Sequence, residues 1–215
     1  HNFFTKPESM MHYFNKNGAT IFYTNLSKGE LASANNENFI IYKRYGNYIE
    51  AYNNNGLILW RTNTSIYPEM SPYANRSVYH SSDNSKIQMF DFDNNSLSSH
   101  IQYGEIVTDG AFALNTGDYI AGFSSGDIAY INRNGSLGFA ISSILSEINI
   151  IKSVAISEYG SFALSISGIR AEYISLYDLK GGTLWYLETG LNRRRHVSSF
   201  VSEKSMTAFM LSDRD

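Results

Sequence analysis

A short Asn- and Gly-rich corner returns five times along this chain, each time leading into an apolar, aromatic-containing strand. The corners are Asn15-Lys16-Asn17-Gly18 before ATIFYTNL, Asn53-Asn54-Asn55-Gly56 before LILWRTN and Asp93-Asn94-Asn95-Ser96 before LSSHIQY. Asn132-Arg133-Asn134-Gly135 precedes LGFAISS, and Leu179-Lys180-Gly181-Gly182 precedes TLWYLET. The strands that follow start at residues 19, 57, 97, 137 and 183, so the spacing is 38, 40, 40 and 46 residues. A period of this length marks a chain built from one repeated supersecondary unit, and it constrains the fold more than any single residue does.

Four corners are preceded by alternating strands: NYIEAY (47–52), KIQMFDF (86–92), DIAYI (127–131) and EYISLYD (172–178). Asn and Gly tolerate positive φ, which two-residue type I′ turns require, so each corner is expected to close a hairpin. A further strand lies upstream of each: NFIIYKRY (38–45), RSVYHSS (76–82), DYIAGFS (118–124) and GSFALSIS (160–167). Short small-residue strands come before three of these, at ELASA (30–34), GAFAL (110–114) and KSVAIS (152–157). Four strands per unit is the make-up of a propeller blade, with the small strands innermost. A β-sandwich also strings short strands at even intervals. One turn chemistry at one fixed place in every unit favours an all-β, four-stranded-blade β-propeller.

The expected organisation is an N-terminal extension over 1–9 and a propeller over 10–215. Full blades fall at about 29–64, 65–104, 105–147 and 148–190, and residues 10–28 with 191–215 supply two strands each to a composite blade. That makes five blades, with the composite one closing the ring and removing its open edges. The competing arrangement is a fragment of a larger seven- or eight-bladed ring.

The units YIEAYNNNGLILW and YISLYDLKGGTLWY, and the phrases KSVAISEYGSFALSIS and HVSSFVSEKSMTAFMLS, carry a resemblance. They are similar to the blades of bacterial propellers with WD-repeat-like or quinoprotein-like (PQQ-like) repeats, in the non-catalytic branch. The resemblance implies that Trp60 and Trp185, placed after the corner, dock one blade on the next. Tyr23, His100 and Phe139 stand at the other equivalent positions, and the Trp-Asp dipeptide of true WD repeats is absent. It also implies an interaction scaffold, as in cell-envelope assembly complexes, located in the periplasm or at the cell surface.

Composition bounds the chemistry. The chain has 215 residues, 43% hydrophobic and 17% charged, which is a globular balance. Its net charge of −3 supplies no basic field for nucleic acid. Without cysteine, neither disulfides nor thiolate metal sites are available. No apolar run reaches the length of a membrane span, so no direct membrane insertion is expected of this chain. Asp91-Phe92-Asp93-Asn94-Asn95-Ser96 alternates oxygen ligands as a calcium loop does, but Ser96 and Gln102 stand where such a loop needs Gly and Glu. The segment therefore reads as a turn. None of the five histidines sits in a nucleophile elbow or at zinc-helix spacing.

No cofactor and no enzymatic activity are expected. Arg193-Arg194-Arg195-His196 is the densest cationic run, and it lies on a blade-to-blade connection. Guanidinium groups grip carboxylates or phosphates bidentately, which points to an acidic peptide or an anionic ligand. Two connections of the same kind, Ser65–Met70 with Tyr67 and Ser143–Ile148, carry exposed-looking apolar residues suited to a protein interface. The leading expectation is a protein-binding scaffold. The alternative is a ligand- or carbohydrate-binding, lectin-like module.

Overall fold

The structure, a computed structural model, describes residues 9–15, 17–43, 48–62, 67–81, 83, 85–98, 101–102, 105–141, 150–169, 171–180, 182–190, 197–202, 204 and 208–212. Strands β1 (Ser9–Phe14) and β2 (Thr20–Leu26) pair as a hairpin. Blade 1 follows as β3 (Glu30–Ala34), β4 (Asn38–Lys43), β5 (Ile49–Asn53) and β6 (Ile58–Thr62). Blade 2 is β7 (Tyr67–Met70), β8 (Arg76–His80) and β9 (Lys86–Asp91), with both β10 (Ser96–Leu97) and β11 (Ile101–Gln102) paired to β9. Blade 3 runs β12 (Val107–Phe112), β13 (Tyr119–Phe123), β14 (Ile128–Ile131) and β15 (Leu137–Ile141). Blade 4 runs β16 (Ile151–Ile156), β17 (Phe162–Ser167), β18 (Tyr173–Asp178) and β19 (Gly182–Glu188). A last hairpin pairs β20 (Val197–Val201) with β21 (Ala208–Ser212).

Every described ladder is antiparallel, and sheet order follows chain order within each blade. This is the all-β, four-stranded-blade propeller expected from the repeat. The hairpins at either end are separate two-stranded sheets among the described residues. Counted as the outer and inner halves of one blade, they bring the number to five.

The sheets lie face to face, and alternation along each strand sends neighbouring residues to different blades. On β13, Tyr119, Ala121 and Phe123 pack with Val78, Ile87 and Met89 of blade 2. Between them, Ile120 packs with Ile151, Val154 and Tyr177 of blade 4. On β4, Phe39 and Ile41 meet Tyr13 of the first hairpin, whereas Ile40 meets Met70 of blade 2. On β17, Leu164 joins the cluster that reaches Val201 of the last hairpin. A strand covered on both faces needs apolar residues at consecutive positions, which is why NFII, YIAGF and FALSIS read as continuous runs.

The corners depart from the expected type I′ turn. At the first, second and fourth corners the glycine N–H donates to the carbonyl three residues back, and Asn15, Asn53 and Asn132 donate to the carbonyl four residues on. Among the described residues of these corners only the glycine takes positive φ, 81° at Gly18, 78° at Gly56 and 76° at Gly135. This is a three-residue loop, a type I turn followed by a left-handed bulge. The leading Asn acts through its side chain instead: Asn53 Oδ1 accepts from the N–H groups of Asn55 and Leu57, both at 3.0 Å. The corner of blade 2 has no glycine, and Asn95 takes the left-handed position at φ 48°.

Gly135 serves a second purpose. A Cβ there would come within 2.2 Å of Ser98 Cβ on the neighbouring blade, whereas one at Gly18 would meet nothing within 4 Å. Gly135→Ala is therefore expected to destabilise by about 2–3 kcal/mol and Gly18→Ala by about 1 kcal/mol, the left-handed strain alone. Urea denaturation of both variants checks the difference, and equal losses would mean that the blade contact adds nothing.

The Ser65–Met70 connection is the second departure. Tyr67–Met70 is not an exposed connection but β7, the first strand of blade 2, paired with β8. Pro68 hides it in the sequence, yet a first strand is a sheet edge, where proline's missing N–H is tolerated. Met70 is buried. Residues Ser143–Ile148 lie outside the described residues.

Candidate functional site

Four antiparallel strands per blade place the first-to-second and third-to-fourth turns at one end of the strands. The second-to-third turns and the blade-to-blade connections share the other end. Hydrogen bonds tie that second end together: Ser124 N–H donates to the Ile106 carbonyl at 2.9 Å, Gly168 N–H to the Ile150 carbonyl at 3.1 Å and Thr189 N–H to the Glu172 carbonyl at 2.8 Å. Ile106 (54% exposed) and Ile169 (46% exposed) stand out there, beside Glu105, whose carboxylate accepts from Ser124 Oγ. The sequence-expected cluster Arg193, Arg194, Arg195 and His196 lies outside the described residues. In chain order it joins β19 to β20, a blade-to-blade connection. Tyr67 belongs to β7, its backbone opposite His80.

The two tryptophans sit in unlike surroundings. Trp60, on β6, has its ring centroid 5.4 Å from Tyr79 and 5.1 Å from Phe90, both on blade 2. Trp185 on β19 is 40% exposed.

Between blades 2 and 3 lies a titratable cluster that no local motif announces. The Tyr119 hydroxyl, fully buried on β13, donates to Glu69 Oε2 at 2.8 Å and lies 3.3 Å from His80 Nε2. Burial pushes the Glu69 carboxyl up to about 7; the Tyr119 hydrogen bond works against the rise and the charge of Asp109 on β12 adds to it. Burial pulls the His80 imidazole down to about 4. The Tyr119 phenol is held well above its usual range, first by burial and then by Glu69. In the sequence His80 lies inside the strand run RSVYHSS, whereas Glu69 falls in the Ser65–Met70 connection.

Glu69 and His80 act oppositely on stability. The raised carboxyl contributes stability that is full below 4.5 and lost as pH rises through about 7. The lowered imidazole contributes stability that is full above 6.5 and lost as pH falls through about 4. Between 4.5 and 6.5 the two slopes offset each other. His80→Gln should therefore leave a protein that loses stability from pH 4.5 to 7. Glu69→Gln should leave one that gains stability from pH 4 to 6.5. Each change is about 3 kcal/mol. Urea titrations across this range test the pair, and parallel profiles for the two variants would contradict it.

At the opposite end of the strands a polar lattice joins blades 1, 2 and 3. Asn35 Nδ2 donates to the Ala74 carbonyl, and Asn75 Nδ2 donates to Glu37 and Asp93. Arg76 pairs with Asp91 at 2.7 Å through Nη1, and its Nε donates to the Arg133 carbonyl. Asp91 also accepts from the N–H groups of Asp93 and Asn94, so the segment weighed above as a calcium loop is a turn held by its own backbone and an arginine. Blade 4 contains a buried ion pair, Lys152 with Glu172 at 3.4 Å.

A family model for beta-propeller proteins matches residues 2–210. Among solved structures, a chain described as KlHsv2 with loop 6CD replaced by a Gly-Ser linker is similar in fold. The TM-score is 0.68 at 12% identity, covering 95% of this chain and 69% of that one. No curated protein matches.

Proposed function

The chain belongs to the beta-propeller protein family, and from that premise we propose that it is a non-catalytic scaffold for protein–protein interaction. The observation that carries this reading is the exposed pair Ile106 and Ile169 at the end of the strands where blades connect. Apolar side chains amid charge are what the core and rim of a transient interface need. In chain order the same class of connection holds Arg193, Arg194 and Arg195, suited to acidic side chains on the partner. The buried titratable groups support the reading, because Glu69, Tyr119, Lys152 and Glu172 are engaged with one another within and between blades. A place in a cell-envelope complex is part of the proposal.

A photoreactive residue placed at Ile106 or Ile169 in cells tests it. One protein should be captured from both positions, and capture should fall at least tenfold when Arg193, Arg194 and Arg195 are all changed to Glu. Absence of any light-dependent adduct from either position, with the fold intact by circular dichroism, would overturn the scaffold reading. Capture that ignores the arginine changes would remove their role in it.

A further inference from the structure

At the corner end of the strands, away from the proposed interface, blades 2 and 3 line an open pocket of about 220 Å³. It lies beside β10, the outer segment of blade 2 that ends at Leu97. Ser98 stands between β10 and β11, its N–H donating to the Met89 carbonyl at 2.8 Å and its Oγ accepting from Met89 N–H at 2.9 Å. The bare backbone of Gly135 lets the corner of blade 3 close against Ser98.

The lining is polar, and its acceptors and donors come from different blades. Asp91 is fixed by Arg76 and two turn N–H groups, and its Oδ2 also accepts from Asn94 Nδ2 at 2.7 Å. A second lone pair on that oxygen and the Asn94 carbonyl oxygen remain as acceptors. The facing donors are Arg133 and Asn134. The Arg133 backbone is held on both sides, its N–H donating to Asp118 at 2.7 Å and its carbonyl accepting from Arg76 at 3.2 Å. Among the described residues, neither the Arg133 guanidinium nor the Asn134 amide has a side-chain hydrogen bond or ion pair. Leu97, 42% exposed, adds an apolar patch.

Charge decides the class of ligand. The charged residues that line the pocket are one of each sign, Asp91 and Arg133, so no net charge of the lining draws in an ion. Fixed acceptors opposite free donors suit groups that donate and accept at once, and the apolar patch suits a C–H face. We propose that this pocket binds a single neutral sugar residue. Adjacent ring hydroxyls bond to Asp91 Oδ2 and Asn94 on one side and to Arg133 and Asn134 on the other. A site for one ring of this size implies a Kd on the order of 1 mM, so any physiological ligand gains strength from contacts beyond the pocket.

Amide NMR of the full chain, titrated with the methyl glycosides of glucose, galactose, mannose and N-acetylglucosamine, tests the site. At least one glycoside should give saturable shifts confined to the amides of Asn94, Ser98, Asn134 and Gly135. Arg133→Ala and Asn134→Ala, both at exposed positions, should each weaken that binding at least fivefold while leaving the remaining spectrum in place. No saturable shift with any of the four glycosides would overturn the proposal. So would shifts untouched by Arg133→Ala, or a stronger response of the same amides to acetate, which would make this an anion site. The pocket and the Ile106–Ile169 surface lie at opposite ends of the strands, so either proposal can fail while the other stands.

Discussion

Trp60→Ala is expected to lower the stability of the folded chain by about 3 kcal/mol. The indole bridges two sheets, stacked at 26° to Phe90 and tilted 42° to Tyr79, and both partners are essentially fully buried. Alanine leaves a cavity against rings anchored in β8 and β9 of another blade, so the gap does not collapse easily. Trp185→Ala removes the same side chain from the corresponding place in blade 4. Its 40% exposure limits the expected loss to about 1 kcal/mol. Equilibrium urea denaturation separates the two, and equal losses would show that exposure is not what distinguishes the tryptophans.

Lys152→Met should be more damaging, by about 3–5 kcal/mol. Glu172 is fully buried, and its two oxygens are shared between Lys152 Nζ at 3.4 Å and Thr189 Oγ1 at 3.2 Å. These groups come from β16, from the residue preceding β18 and from the residue following β19, so the ion pair ties three strands of blade 4 at one end. Removing the ammonium takes the Lys152 charge away from a fully buried carboxylate. Changing both residues, Lys152→Met with Glu172→Gln, removes the buried charge while keeping an acceptor for Thr189. It should recover most of the loss. A double variant no more stable than Lys152→Met alone would mean that packing, not the buried charge, sets the cost.

Much of the fold was legible because the repeat is written in local chemistry. An Asn whose side chain caps its own turn, followed by a residue able to take positive φ, leaves a readable mark every forty residues or so. Runs such as YIAGF told of strands covered on both faces. The type of turn was less legible, since Asn and Gly satisfy both the two-residue and the three-residue loop, and only the backbone register separates them. Strand β7 was hidden by Pro68, a breaker that its edge position tolerates, and by Glu69, a carboxyl buried against Tyr119 of blade 3. The role of Ser98 was invisible, because its hydroxyl accepts from Met89 N–H beside an ordinary backbone bond and nothing in LSSHIQY requires that. The site was harder still. Glu69, His80 and Tyr119 come from three strands of two blades, and Asp91 and Arg133 line one pocket across a blade junction. Spacing along the chain carries no trace of either meeting.

The central claim is that the second strand of each blade is buried on both faces between successive blades, and Ile40 and Ile41 test it most directly. These neighbours on β4 face opposite ways, Ile40 toward Met70 and Trp60 and Ile41 toward Tyr13 of the first hairpin. Denaturant unfolding of Ile40→Ala and Ile41→Ala should show losses of about 2–4 kcal/mol for each. Double-mutant cycles should couple Ile40 with Met70 and Ile41 with Tyr13, while the crossed pairs add independently. A strand with one face in solvent would instead give one large loss and one within about 0.5 kcal/mol of zero, and that result would contradict the stacked-blade account.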